Sequence, residues 1–180
     1  MDSIQQVLSF VKNDATIKPI IVENNGVRQT YLDDLGCDVC YTYNNYMSFI
    51  HKGEIELLDI KHVIDKYQIQ DDDTIIKLTG RYKCLDSYFL DLVKNNCDVY
   101  DAFVKFFNVC TFTYTYDDCV LGLFAIRCKY MKDFNYWFSL SPENEFAEYI
   151  FKNVNKKRIM GVKELRLECC FADDLRVVRV

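Results

Sequence analysis

The chain has 180 residues, half of them apolar, with 13 Tyr and 13 Phe, which suits one folded domain and excludes a disordered chain. Its 22 Lys and Arg against 27 Asp and Glu give a net charge of -5, which argues against a basic nucleic-acid groove as the main surface. No apolar run approaches the roughly 20 residues that span a bilayer, no leader pattern opens the sequence, and nine scattered Cys fit a reducing, cytoplasmic compartment.

Ile4, Val7, Leu8 and Val11 recur at helical spacing behind Asp2-Ser3, predicting an amphipathic helix over Ser3 to Asn13. Pro19 to Val22 is a short continuous apolar run, the pattern of an interior parallel strand buried on both faces, and Glu23-Asn24-Asn25-Gly26 after it is turn chemistry. A second strand is predicted over Asp38 to Tyr43. At its start Cys37-x-x-Cys40 has the spacing of half a zinc site, but His51 and His62 stand in no ligand pattern near it, so it reads as two strand thiols.

From Gly53 to Tyr67 a helix is predicted with Ile55, Leu58, Val63, Ile64 and Tyr67 on its apolar side, and Thr74 to Leu78 follows as a strand. Alternation of helix and strand implies a parallel or mixed sheet covered by helices. The second half reads as more antiparallel. It has an aromatic and Thr-rich stretch over Ala102 to Thr115, a strand over Leu121 to Arg127 and a short helix over Met131 to Phe138. Ser141-Pro142-Glu143 then opens a helix to about Val154, and Leu165 to Val180 returns as strand. The run Lys156-Lys157-Arg158 reads as a solvated loop or helix end. No repeat or flexible linker interrupts the sequence, so residues 1–180 read as a single domain.

In open α/β sheets ligands bind beyond the carboxyl ends of strands, so Glu23, Asn24 and Asn25 after one strand and Thr79-Gly80-Arg81-Tyr82 after another should share a rim. Asp71-Asp72-Asp73 precedes its strand and should lie at the opposite end as a turn rather than a metal motif. Thr79, Gly80 and Arg81 join a hydroxyl, a close backbone approach and a guanidinium suited to a diphosphate; the alternative is a tight turn with an ion-paired Arg. Lys52-Gly53-Glu54 is either an anion site or an ordinary helix start. Glu143 and Glu145 are first-turn acids favoured by the helix dipole, or one of them is a general base; Asp117-Asp118 is a turn or an acceptor-binding carboxylate pair. A serine elbow, a Walker-type loop, a dinucleotide glycine motif and a His-based triad are all missing from the sequence.

In order along the chain, Ile20 to Gly26, Tyr41 to Asn45, Lys52 to Leu58 and Ile75 to Tyr82 with its Lys-Leu-Thr-Gly-Arg-Tyr core resemble small GT-A-like nucleotide-sugar glycosyltransferases of large DNA viruses and bacterial polysaccharide loci. Asp117-Asp118, Leu121 to Arg127 and Glu145 to Glu148 resemble their acceptor half. The resemblance implies a Rossmann-like mixed sheet flanked by helices, here beginning with a helix where relatives begin with a strand. It also implies transfer of a sugar from a UDP- or GDP-linked donor to a hydroxyl of a glycan or glycoprotein. Asn24 and Asn25, with Glu23, would contact the nucleotide, and Lys52, Thr79, Gly80 and Arg81 the diphosphate. Glu145, otherwise Glu143 or Asp118, would be the base. Where relatives carry a metal-binding Asp-x-Asp this chain has Thr79-Gly80-Arg81, so no metal ligand is assigned and Mn²⁺ or Mg²⁺ would enter only with the donor. The alternative is a non-catalytic binding or structural protein on a degenerate scaffold of this type. The donor reading expects Asn24, Lys52 and Arg81 to converge on one anion-sized hollow.

Overall fold

Helix α1 covers Ser3–Val11, the first element of a computed structural model that describes residues 3–47, 52–170 and 176–180. Asp2, His51 and residues 171–175 of the expected last strand fall outside the described residues. The chain divides into two compact units, one of Leu8–Ile69 and one of Met1–Val7 with Gln70–Val180, and the division falls inside α1.

In the smaller unit, β1 (Ile20–Glu23) runs parallel to β2 (Asp38–Tyr41) in the register Ile20 to Asp38 and Glu23 to Tyr41. The parallel direction matches expectation, but the interior position does not. Among the described residues β1 pairs with β2 alone, and Val22 is 37% exposed, because a two-stranded sheet gives each strand one open edge. The connection carries a 3-10 turn, Tyr31–Asp34, closed by a capping box in which the Leu32 N–H donates to Thr30 Oγ1 and the Thr30 N–H donates to Asp33. Helix α2 (Lys52–Tyr67) buries Ile55, Leu57, Asp59 and Ile64. A charged residue thus sits on the buried face, four positions after Ile55.

In the larger unit, β3 (Thr74–Leu78) leads through a turn, closed by Tyr82 N–H to Thr79 O, into β4 (Lys83–Cys84) and α3 (Tyr88–Asn96). The sequence reading missed α3, although Phe89 and Val93 stand one helical turn apart on its buried face. The aromatic and Thr-rich stretch from Ala102 to Thr115 holds three strands, β5 (Ala102–Val104), β6 (Phe107–Asn108) and β7 (Thr113–Tyr114), the last two forming a hairpin. Then come β8 (Leu123–Arg127), α4 (Cys128–Asp133), α5 (Pro142–Asn153), β9 (Ile159–Gly161), β10 (Leu167–Cys170) and β11 (Val177–Arg179). Helix α4 lies earlier than expected, because Phe134 turns to an extended backbone and the chain leaves the helix there.

The main sheet has the order β3-β8-β5-β9, with β3 and β5 antiparallel to β8 and β9 parallel to β5. A second sheet has the order β11-β10-β4. The fold is mixed α/β. Strands β5 and β8 are buried throughout except at Arg127, and α5 lays Phe146 against Phe124 at 4.6 Å and Phe134 at 5.1 Å between ring centroids. Burying a side chain of that size contributes about 2 kcal/mol, so this aromatic cluster fixes where the first turn of α5 lies. Among the described residues no helix is long and apolar enough to cross a membrane.

Candidate functional site

The strand directions set two rims on the main sheet. Strands β3, β5 and β9 end where β8 begins, so Thr79, Lys105 and the segment Asp118–Gly122 share one rim, tied by Thr79 N–H to Gly122 O and Val120 N–H to Lys105 O. The triple Asp lies at the other end as expected. There Asp71 pairs with Lys132 at 2.5 Å, its carbonyl accepts the Lys129 N–H, and the Asp73 carbonyl accepts the Cys128 N–H. That opposite end also holds buried Asp101, which takes Arg158 at 2.8 Å and Arg127 at 3.4 Å. Arg158 therefore leaves the solvated basic run to serve a structural pair.

On the first rim, Lys77 and Thr79 project from the same face of the strand line, two residues apart. Lys77 Nζ donates to Thr79 Oγ1 at 2.7 Å and to Leu121 O at 2.7 Å, which pins the entry to the Thr79–Tyr82 turn. Gly80 and Arg81 are exposed, and the Arg81 guanidinium lies 5.4 Å from the Tyr82 ring centroid. Gly122 packs against Tyr82 so closely that any side chain there would collide with the ring. The turn that carries Arg81 is thus held from beneath by a glycine.

Asp118 lies on the same rim, half-buried. Its Oδ2 accepts from Asn108 Nδ2 at 2.6 Å. The Asn108 amide is oriented by two backbone donors, the N–H groups of Cys110 and Thr111, which its Oδ1 accepts at 2.9 and 2.8 Å. Burial pushes the Asp118 carboxyl above its ordinary value, and the negative charges of Glu143 and Asp117 add to that push against the opposing bonds from Asn108 and the Cys119 N–H. Glu143 stands in the first turn of α5, where its carbonyl accepts the Cys119 thiol at 3.2 Å. The structure thus brings together two of the expected carboxylates, Asp118 and Glu143.

Glu145, expected as the base, has a different task. It is fully buried, and its carboxylate accepts the N–H groups of Trp137 at 2.8 Å, Ser139 at 2.7 Å and Leu140 at 3.1 Å. Burial alone would raise its pKa, but the backbone donors from Leu140, Trp137, Ser139 and Phe138 outweigh it and leave the carboxyl below its ordinary value. A carboxylate so engaged is a poor proton acceptor, and its lone pairs face protein rather than a substrate.

The smaller unit carries the remaining expected residues. Gly26, with φ +83, lets the chain turn after β1, and the Gly26 N–H donates to Thr42 O. Asn24 Nδ2, Thr42 Oγ1 and Asn44 Nδ2 all donate to buried Asp59, at 2.9, 2.6 and 2.7 Å. Asn25 donates to Glu23 Oε1 through its amide at 2.6 Å and its backbone N–H at 2.9 Å, while Arg28 pairs with Glu23 at 3.3 Å. Lys52 is exposed as the first residue of α2. Of the trio expected to converge, Asn24 and Lys52 belong to this unit and Arg81 to the other.

Sequence reasoning missed Asp59, Lys77 and Asn108. Asp59 was visible as a charge interrupting an apolar helical stripe, and Lys77 as a cation inside an otherwise apolar strand. Asn108 left no local signal, since its partner Asp118 lies across a hairpin. Cys37 and Cys40 are both free thiols, with Lys66 Nζ 3.8 Å from the Cys40 sulfur. Among the described residues no group of three or more His, Cys, Asp or Glu side chains is disposed to hold a metal ion.

No protein-family model and no curated protein matches the chain. Among solved structures it is similar to A197 from STIV, with 13% identity, a TM-score of 0.47, and coverage of 89% of this chain and 91% of that one. A likeness of that size carries no functional meaning.

Proposed function

We propose that the chain is a GT-A-like glycosyltransferase that moves a sugar from a UDP- or GDP-linked donor to a hydroxyl of a glycan or glycoprotein, with Asp118 as general base. The observation that carries this reading is the Asp118 carboxyl itself: half-buried, raised by burial and by Glu143 and Asp117, and aimed by an oriented Asn108. A carboxylate of raised pKa is a better proton acceptor than an ordinary one. In the proposed step Asp118 takes the hydroxyl proton as the acceptor oxygen bonds to the anomeric carbon. The bond from that carbon to the diphosphate oxygen breaks, and the leaving group departs with the electron pair. Arg81, exposed on its pinned turn, supplies counter-charge to the departing diphosphate.

A donor panel tests this. UDP- or GDP-sugars at a hundredfold excess over the dissociation constant should stabilise the fold by about 2.7 kcal/mol. Asp118→Asn should keep that shift and lose diphosphate-nucleoside release. One observation favours the second reading, a non-catalytic binding or structural protein: the polar side chains after β1 and β2 are engaged with one another through Asp59 and Glu23. A flat thermal response to every donor would decide for it.

A further inference from the structure

Three apolar side chains stand out on four consecutive residues: Trp137 is 48% exposed, Phe138 55% and Leu140 54%. Leaving that much apolar surface in water costs free energy, and an unconstrained loop would collapse it inward. Here the backbone prevents collapse. The N–H groups of residues 137 to 140 turn toward the buried Glu145 carboxylate, and Phe138 adopts φ +60, a left-handed conformation that a bulky residue enters only under constraint. Tyr136 braces the loop from behind, 4.8 Å from Phe134 and 6.5 Å from Phe138 between ring centroids. A buried charge and a strained residue together hold aromatic faces outward.

The surroundings are acidic and amide-rich. The loop is fastened to the first turn of α5, and the same turn holds the Asp117–Cys119 segment: Asn144 Nδ2 donates to Asp117 O, and the Cys119 thiol to Glu143 O. The aromatic loop and the Asp118–Glu143 pair are therefore built on one helix start. Aromatic faces beside carboxylates and amides match a pyranose, whose C–H face stacks on rings while its hydroxyls donate to carboxylates. The first turn of α5 presents Glu143 and no base, and the whole chain carries -5, so an anionic lipid surface is electrostatically disfavoured.

We propose that Trp137, Phe138 and Leu140 form a preorganised platform for a neutral saccharide, the acceptor of the reaction proposed for Asp118. The identification as acceptor rests on that reading; saccharide binding by the loop stands apart from it. Trp137 is the sole tryptophan of the chain, so its emission reports on this loop alone.

The test titrates the protein, without donor, with maltohexaose, cellohexaose, chitohexaose, xylohexaose and mannohexaose, and in parallel with vesicles of phosphatidylcholine and phosphatidylglycerol. At least one oligosaccharide should change Trp137 emission saturably in the millimolar range or below. Phe138→Ala, at a site 55% exposed, should keep the wild-type circular dichroism spectrum and weaken that binding about tenfold. Silence across all five oligosaccharides overturns the platform, as does a response to vesicles alone, which would make the loop a membrane contact. Saccharide binding with no donor response supports the platform and defeats the transferase; donor turnover without any saccharide effect on Trp137 does the reverse.

Discussion

Replacing Glu145 by Gln separates a clamp from a catalyst. The carboxylate takes three backbone donors, from Trp137, Ser139 and Leu140, at 2.7 to 3.1 Å inside the protein. Glutamine keeps one acceptor oxygen, but its NH₂ must face an N–H, so one bond is lost outright and the others lose their charge assistance. With bonds to a buried charge contributing about 1.5–3 kcal/mol, the substitution should cost about 3 kcal/mol. For a domain of this size that corresponds to a melting temperature lower by about 6–12 °C. The pH dependence has a definite sign. The folded-state pKa lies below the ordinary 4.5, so the ionised Glu145 stabilises the fold above that value, and its contribution fades as pH falls through the folded pKa. The gap between wild type and Glu145→Gln should be widest at neutral pH and close in acid. Chymotrypsin gives a second readout, because the released loop offers Tyr136, Trp137, Phe138 and Leu140 for cleavage. A variant with unchanged melting temperature and protease resistance but no turnover would refute the clamp and restore Glu145 as the base.

The other predictions follow from single contacts. Asp118→Asn should lower turnover about a hundredfold or more, the usual size of a general-base effect. The acid limb of kcat/KM should fall at a pH above the ordinary aspartate value of 3.8, since burial, Glu143 and Asp117 raise this carboxyl, and a limb at or below 3.8 would dismiss it. Because a raised carboxylate destabilises the fold once ionised, the same Asn variant should melt no lower than wild type at neutral pH, as thermal denaturation can show. Gly122→Ala should cost about 1–3 kcal/mol by forcing the Tyr82 ring aside, and should weaken donor binding through the displaced Arg81 turn; normal stability in a denaturant titration would contradict the close packing. Asp59→Ala strands the donors of Asn24, Thr42 and Asn44, for a loss of about 3 kcal/mol, visible as earlier amide exchange in residues 42–46 than elsewhere in that unit.

Local signals were legible in the sequence wherever a residue acts on its chain neighbours. Ser141 and Pro142 announced α5, and Ser141 Oγ does accept the Asn144 N–H; Gly26 announced a turn and takes φ +83. The run Thr74 to Leu78 announced a strand, and the strand-end rule put Asp71–Asp73 and Thr79 on opposite rims. Pairing was not legible, because a strand's partner is a non-local choice: nothing near Lys77 says that it faces Phe124 across an antiparallel ladder. The loop before α5 failed for a related reason. Met131, Phe134 and Phe138 fit a helical period, yet the helix ends at Asp133 because the bonds that bend residues 137–140 come from a carboxylate farther along the chain.

Three of the buried or half-buried acids, Asp59, Asp118 and Glu145, are alike in sequence and differ in what surrounds them. Glu145 receives backbone N–H groups, which cannot swing away, so its charge is held and its pKa falls. Asp59 receives side-chain amides and a hydroxyl, and gathers the ends of β1 and β2 into one turn system. Asp118 receives one oriented amide and the Cys119 N–H, and burial with two neighbouring negative charges increases its affinity for a proton. A reader of sequence ranks such acids by position in a helix or after a strand, and by that rule Glu145 comes first. Ranked by donors and neighbours, the order inverts, and the base we propose moves from Glu145 to Asp118, the acid with fewer donors.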